Sequence, residues 1–176
     1  MTHDDLVEIG KRWLAKPWRR HDCDGHGSCS VIIAEMTSAS WETPDVIGWH
    51  SGSTTLIECK ASRSDFLADR KKFFRKNPEK GMGSQRYFLT PVGLIKPEEL
   101  PTDWGLIEAK PDGKTRVVVP SGRLQSYKGH EVNMLLSLLC RLKVKPGRHV
   151  NIRTYTIDSG KEPRATAMIA PSEEEE

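Results

Sequence analysis

The sequence lacks the features of membrane and secreted proteins. No run approaches the roughly 20 consecutive apolar residues that a membrane-spanning helix needs. The first residues are acidic and amphipathic, and do not follow the basic-then-apolar order of a secretory signal. Only four cysteines occur among 176 residues, which is too few for a disulfide-stapled scaffold of this size. We therefore expect a cytoplasmic protein with reduced thiols, in the host cytoplasm if the chain is phage-encoded.

The composition describes a soluble globular chain. Hydrophobic residues make up 36% and charged residues 29%, and the length suits one domain with a real core. We expect a single domain over residues 1–157, followed by a flexible acidic tail over 158–176. The formal net charge is +3 although the chain ends in four glutamates, so the body is more basic than the total. A basic body is compatible with nucleic acid as a partner.

Residues 41–60 predict a β-hairpin. Pro44 is acceptable at a strand start, and Val46, Ile47 and Trp49 are good strand formers. The segment 50–53 has turn chemistry around a glycine, and 54–57 form a second strand that leads into Glu58. The hairpin therefore has a carboxylate near the start of one arm and another near the end of the other.

The turn register decides whether these carboxylates meet. If the turn is centred between Ser51 and Gly52, Asp45 lies directly opposite Glu58 and on the same face. Glu58 and Lys60 also project to one side, because side chains alternate along a strand. A slip of one residue would turn Asp45 away, so the predicted cluster depends on the turn.

Two carboxylates this close favour a bound cation. Hard oxygen ligands suit Mg²⁺, which proteins hold with one or two carboxylates plus waters and substrate phosphate. Lys60 would then orient a metal-bound water or stabilise developing phosphate charge. The alternative is a solvated hairpin with a surface ion pair between Glu58 and Lys60, which would contribute little.

Pro44-Asp45 followed by Glu58-Cys59-Lys60 resembles the signature of the PD-(D/E)XK nuclease superfamily. The runs at 61–72, 86–91 and 100–109 are similar to the MmcB-like DNA-repair endonucleases, and the resemblance spans about residues 30 to 110. It implies an α/β restriction-endonuclease-like core, a mixed central sheet with helices on both faces (αβββαβ), here with an extra C-terminal hairpin and helix. It also implies a Mg²⁺-dependent DNA endonuclease, with Mn²⁺ as a substitute, that acts in DNA repair or in phage or defence DNA processing.

The resemblance also implies roles for particular residues. Asp45, Glu58 and the Cys59 backbone carbonyl would hold the metal, and Lys60 would assist the attacking water. Glu35, in a strand predicted over 31–36, would be a further catalytic or metal-site carboxylate.

Glu8 and Glu42 are further acidic candidates. Glu8 lies on a helix predicted over 3–15, where the family often places a metal-site acid; its alternative is a solvated helix residue. Glu42 is a weaker candidate than Glu35. The alternative for Glu35 is that it ends its strand in solvent.

A basic helix is predicted after the hairpin, from a Ser62 N-cap to Lys76. Asp65 and Asp69 share one of its faces and are expected to pair with basic residues. Next to a metal site its cations suggest a nucleic-acid contact. These candidates are Arg63, Arg70, Lys71, Lys72, Arg75 and Lys76, together with Gln85 at the start of the next strand (85–90).

The rest of the chain predicts a parallel crossover into strand 85–90 and a hairpin over 104–109 and 115–119, with Asp-Gly in its turn. An amphipathic helix over 131–143 has an apolar stripe that suits a core or a homodimer contact. One further edge strand is predicted within 150–156.

Two alternatives to an enzyme remain. One is a catalytically silent nuclease-fold module that binds DNA or protein through the basic helix, with the acidic tail as a competitor of DNA. The other is a domain stabilised by structural zinc at His21, Cys23, His26 and Cys29, although their spacing matches no usual ligand pairing. Without zinc, Cys29 would begin the apolar strand that follows.

Overall fold

A mixed six-stranded sheet organises the first of two compact units, residues 1–134 and 135–176. The computed structural model describes residues 1–16, 29–38 and 41–142, and the strands at 154–156 and 164–166. The strands lie side by side in the same order as they occur in the chain. They are β1 (Val31–Ala34), β2 (Val46–His50), β3 (Ser53–Cys59), β4 (Gln85–Pro91), β5 (Gly105–Ala109) and β6 (Thr115–Val119). Strands β3, β4 and β5 are parallel, and the other neighbouring pairs are antiparallel. The predicted α/β class with a mixed sheet is confirmed.

The helices are α1 (His3–Ala15), α2 (Arg63–Asp69), α3 (Phe73–Lys76) and α4 (Lys128–Arg141), with short 3₁₀ turns at Pro78–Lys80 and Pro97–Glu99. None of the described helices has the length and apolarity to cross a membrane. In the second unit, β7 (Thr154–Thr156) pairs antiparallel with β8 (Arg164–Thr166), which falls inside the stretch predicted as tail. The domain limits and the tail otherwise stay predictions.

Two consecutive aromatic residues of β4 show that helices cover both faces of the sheet. The Tyr87 ring lies 5.4 Å from that of Trp13 on α1, and the Phe88 ring lies 5.2 Å from that of Phe66 on α2. Because neighbouring side chains of a strand point to opposite faces, α1 and α2 lie on opposite sides. The restriction-endonuclease-like identity of this core stays a proposal.

Helix α1 forms where it was predicted, and its cap explains its start. The Thr2 hydroxyl accepts from the Asp5 amide at 3.2 Å, while the Asp5 carboxylate accepts from the Thr2 amide at 2.7 Å. This reciprocal capping box satisfies two of the free amides at the helix start. Its apolar residues, among them Leu6 and Trp13, are buried against the sheet.

The hairpin register agrees with the prediction. His50 pairs with Ser53 and Val46 with Ile57, so Ser51 and Gly52 form a two-residue turn. Both turn residues have positive φ, 44° and 79°, as a tight hairpin turn requires. Continuing the register by one pair beyond Val46 places Asp45 opposite Glu58.

Several boundaries differ from the predictions. The basic helix predicted up to Lys76 is two helices, α2 and α3, separated at residues 70–72. Strand β1 ends at Ala34, because Glu35 has a φ of 52° that a strand does not accommodate. The remaining strands and α4 agree with the predictions within a few residues.

Replacing Gly83 by Ala should destabilise the protein strongly. Gly83 has a φ of 83°, and an added Cβ would lie 2.6 Å from the Leu56 Cβ on β3. Gly52 is a matched control, because it has a φ of 79° and nothing within 4 Å of an added Cβ. Urea unfolding should show a loss of about 1–2 kcal/mol for Gly52→Ala from backbone strain, and about 1–3 kcal/mol more for Gly83→Ala from the clash. Equal losses would contradict the packing of β3 described above.

Candidate active site

The end of β3 brings together the residues of the predicted signature. The Cys59 amide donates a 2.6 Å hydrogen bond to Asp45 Oδ2. On the opposite edge of the strand, the Lys60 amide donates to the Leu89 carbonyl at 3.0 Å. Since the N–H and C=O of one strand residue point to the same edge, the Cys59 carbonyl faces the Asp45 side. Asp45, Glu58 and this carbonyl therefore lie at one strand end, as the register predicted.

Three cations surround the Glu58 carboxylate. Lys60 Nζ lies 3.2 Å and Lys72 Nζ 3.0 Å from Oε2, and Arg75 contacts Oε1 at 3.1 Å. The side chains of Glu58 and Lys60 are only 2% and 4% exposed. The alternative of a solvated hairpin pair is therefore wrong, because this ion pair is buried.

Asp69 shares the same three cations. Its Oδ1 lies 3.1 Å from Lys60 Nζ and 2.9 Å from Lys72 Nζ, and Oδ2 accepts from the Arg75 guanidinium. We call Glu58, Asp69, Lys60, Lys72 and Arg75 the charge cluster. Two carboxylates and three cations alternate within it, so each buried charge has an opposite neighbour. The predicted pairing of Asp69 with basic residues is confirmed; the more exposed Asp65 approaches Lys60 at 3.8 Å.

The charge cluster explains why the basic helix is broken. In a continuous helix Arg75 would lie about 120° around the axis from Asp69, since six residues turn through about 600°. Lys72 instead has an extended backbone, with ψ at 143°, and α3 restarts after it. The break lets Arg75 reach Asp69 and lie over the Trp104 ring at 4.3 Å. Nothing in residues 70–72 resembles a helix stop, so the sequence carries no signal for this break.

The electrostatics of the charge cluster keep its members ionised. Burial alone would raise the pKa of Glu58, but the charges of Arg75, Lys60 and Lys72 outweigh it and hold that pKa below its usual range. The pKa of Asp69 falls to about 2 because Arg75 and Lys60 outweigh its burial in the same way. Burial works to lower the pKa of Lys60, yet Glu58 and Asp69 raise it above its usual value. Lys60 therefore remains a cation at neutral pH.

Asp45 lies next to the charge cluster and behaves in the opposite way. Burial, followed by the charge of Glu58, raises the pKa of Asp45 to about 6. Its Oδ1 lies 3.7 Å from His3 Nε2, and that nitrogen is 3.9 Å from Glu35 Oε1. The Glu35 amide also approaches the Asp45 carbonyl at 3.2 Å. Glu35 is thus a neighbour of Asp45, with an exposed side chain at the rim of the site.

Glu8 lies elsewhere. It forms an ion pair with Lys11 at 2.5 Å and lines a cavity of about 770 Å³ beside α1. A different cavity, of about 430 Å³, is lined by Glu58 and Lys72. The structure therefore does not bring Glu8 to Glu58.

Glu42 also lines the smaller cavity, and it is a group whose environment sequence reasoning missed. It is buried, and its Oε2 accepts from the Met82 amide at 2.9 Å. Burial raises the pKa of Glu42 to about 7, although the hydrogen bond from the Met82 amide and the charges of Arg75 and Arg86 act in the other direction. The partner lies 40 residues away in the chain, so no local pattern could have indicated this contact.

The predicted nucleic-acid face is smaller than expected. Arg75 is 5% exposed and belongs to the charge cluster, so it is not part of an exposed cationic surface. Arg63 pairs with Glu99, and Arg70 donates to the Glu99 carbonyl at 3.2 Å. Both arginines thus tie α2 to the 3₁₀ turn at 97–99.

The remaining predicted contacts are more accessible. Lys71 and Lys76 are exposed, and Lys72 is half exposed while it contacts the charge cluster. Gln85 is half-buried, and its Oε1 accepts from the Thr55 hydroxyl at 3.4 Å. Lys72 is therefore the one predicted contact that both faces solvent and contacts Glu58.

The donor atoms at the end of β3 are oxygens of the kind that a hard divalent cation prefers. Asp45 and Glu58 supply carboxylate oxygens and Cys59 a carbonyl, which is the kind of donor set that Mg²⁺ takes. A cation there would favour the ionised form of Asp45, whose pKa burial and the Glu58 charge raise. Within the described part of the chain, no three His, Cys, Asp or Glu side chains form a ready metal site. Binding of a cation here would therefore depend on the carboxylates of Asp45 and Glu58 and on the Cys59 carbonyl.

The predicted zinc ligands His21, Cys23 and His26 lie outside the described residues. Cys29 is described, and it packs beside β2, where a Cβ on Gly48 would lie 2.7 Å from its sulfur. Burial raises the pKa of the Cys29 thiol. The zinc site stays a prediction.

Comparison with protein-family models, curated proteins and solved structures finds no significant match to this chain. The similarity to PD-(D/E)XK nucleases therefore depends on the residues themselves.

Asp69→Asn should destabilise the protein by about 3 kcal/mol or more at pH 7, because it leaves the shared cations without their partner. The pKa of Asp69 is about 2 in the folded state, below the unfolded value near ~3.9. Its contribution is therefore present above about pH 4 and lost as the pH falls through 2. Urea unfolding between pH 7 and 3 should show the gap between wild type and variant narrowing with acid. A constant gap would contradict the ionic role of Asp69.

Asp45→Asn should have the opposite effect. The pKa of Asp45 is about 6 when folded and near ~3.9 when unfolded, so its stabilising contribution exists below about pH 4 and is lost as the pH rises through 6. In chelator at pH 8, the variant should be more stable than wild type by about 1–3 kcal/mol. Near pH 4 the two proteins should unfold alike. A variant that is less stable at pH 8 would contradict the raised pKa.

Proposed function

We propose that this protein is a divalent-metal-dependent endonuclease that hydrolyses phosphodiester bonds of DNA, in DNA repair or in phage or defence DNA processing. The observation that supports it is the hydrogen bond from the Cys59 amide to Asp45 Oδ2. This bond holds one carboxylate against the strand end that also bears Glu58 and Lys60. A P-D and E-x-K set is thereby assembled in space as well as in sequence.

The metal and the protein would divide the chemistry. Bound Mg²⁺ or Mn²⁺ would neutralise non-bridging phosphate oxygens and lower the pKa of a water ligand. Lys60 remains a cation between Glu58 and Asp69, so it acts as a fixed charge and not as a proton acceptor. By keeping Glu58 ionised, it maintains a carboxylate that can bind the metal.

Lys72 is the group of the charge cluster best placed to contact substrate. It is half exposed and lines the cavity of about 430 Å³ next to Glu58. A substrate phosphate entering that cavity would meet its ammonium group, and charge-assisted bonds of this kind are stronger than neutral ones.

A second candidate function is a nuclease-fold module that binds DNA or protein without catalysis. The observation that favours it is that both oxygens of Glu58 already contact cations of the protein. A metal would have to compete with Lys72 for Oε2. DNA binding that persists in chelator, without cleavage in Mg²⁺, would support this candidate.

Asp45→Asn should abolish cleavage without loss of folding. We expect purified protein with Mg²⁺ or Mn²⁺ to cut single-stranded, duplex or branched DNA, and the variant to cut at least about 100-fold more slowly. Because Asn at this position should not destabilise the fold, a loss of cleavage can be assigned to the site and not to unfolding. Glu108→Gln is the matched control: Glu108 is buried on β5, where it accepts from the Gly93 amide and contacts Arg116.

Full cleavage by Asp45→Asn would refute the site. Equal loss in Glu108→Gln would mean that any buried carboxylate matters, and would remove the support for Asp45.

A further inference from the structure

The cavity beside Glu58 has an aromatic wall that the proposed chemistry does not use. Trp41, Phe73 and Phe74 line it together with Lys72 and Glu58. Trp41 is 87% exposed and Phe73 54% exposed. Single exposed aromatic residues are ordinary, but two at one charged cavity mark a surface suited to a ligand. We call this cavity the aromatic pocket.

The backbone at Trp41 has an unusual conformation. The Trp41 amide donates to the Ser38 carbonyl at 3.0 Å, and the Ser38 amide donates to the Glu42 carbonyl at 2.8 Å. Trp41 has a φ of 66°, which is costly for a bulky residue. A large exposed ring thus lies on a backbone conformation that disfavours large side chains.

Phe73 is positioned by its neighbours. Its ring meets that of Phe74 edge-on, with centroids 5.2 Å apart, and the Lys80 ammonium lies 5.5 Å from its centroid. Lys80 thus brings a positive charge to Phe73, and Lys72 lines the same pocket. The pocket combines exposed aromatic rings with nearby cations and, at about 430 Å³, has the size of a small-ligand site.

A nucleotide matches this combination. Its base is a planar ring that stacks on aromatic side chains, and its phosphate is an anion that suits the lysines. In a duplex the faces of each base are covered by the neighbouring base pairs. A base can therefore reach Trp41 and Phe73 only where it is unpaired or extruded.

We propose that the aromatic pocket binds an unpaired base next to the scissile phosphate, so that the substrate of this site is single-stranded DNA. This inference rests on the proposed function, because it takes the end of β3 as the reacting centre. It goes further in selecting one DNA structure from those that a nuclease could cut.

The test measures binding in chelator, where cleavage plays no part. Fluorescence anisotropy at fixed salt compares a labelled oligothymidylate with an abasic strand of equal length and with a duplex. Wild type should bind the oligothymidylate at least about fivefold more tightly than the abasic strand, since stacking on one side chain contributes about that much per base or more. It should bind the duplex more weakly than the oligothymidylate.

Variants test whether the aromatic pocket causes the preference for the base-bearing strand. Trp41→Ala should remove the preference for the base-bearing strand, whereas Trp41→Phe should retain most of it. Tyr127→Ala is the matched control, since Tyr127 is an aromatic residue that is 53% exposed and lies outside the aromatic pocket. It should bind as wild type does.

Three results would overturn the inference: equal binding of oligothymidylate and abasic strand by wild type, an unchanged preference in Trp41→Ala, or tighter binding of the duplex. The proposed function fails separately. A single-strand preference that depends on Trp41, without cleavage in Mg²⁺, would uphold the pocket and refute the nuclease. Cleavage that prefers duplex and ignores Trp41 would do the reverse.

Discussion

The structure depends on keeping the Glu58 carboxylate ionised inside the protein. A lone carboxylate at that depth would take up a proton, because burial penalises its charged form. The positive charges of Lys60, Lys72 and Arg75 prevent this. Asp69 supplies a second negative charge, which offsets the repulsion among the three cations. The charge cluster joins β3, α2 and α3, because Glu58, Asp69 and Arg75 come from these three elements.

This arrangement separates two roles that acidic residues play at one strand end. Glu58 is held ionised by the folded protein, whereas Asp45 has a pKa raised to about 6 by burial and by Glu58. Neighbouring groups whose pKa values are pushed apart occur at functional sites, and buried ion-pair networks shift pKa values as well. The aromatic pocket beside Glu58 adds exposed rings to these charged groups.

Much of the fold could be predicted because its determinants are local. The Thr2 cap, the Ser51-Gly52 turn and alternation along β3 are patterns within a few residues, and they placed Asp45 opposite Glu58. Other features depend on distant partners. Glu42 meets Met82, Asp69 meets Lys60, and the break before α3 follows from Arg75 reaching a buried carboxylate. A helical pattern of charges cannot show which cations turn inward, so Arg75 was expected on the surface.

The two-residue turn at Ser51 and Gly52 has a consequence for how such a chain can evolve. Surface turns usually tolerate insertions, and this one is exposed at the tip of its hairpin. An added residue is harmless here only where the loop itself takes it up, as three-residue hairpin loops do. A slip of the strand pairing by one residue would instead exchange the faces of one arm and separate Asp45 from Glu58. Related chains with the same chemistry should therefore keep the pairing of the two arms more strictly than the length or identity of the loop.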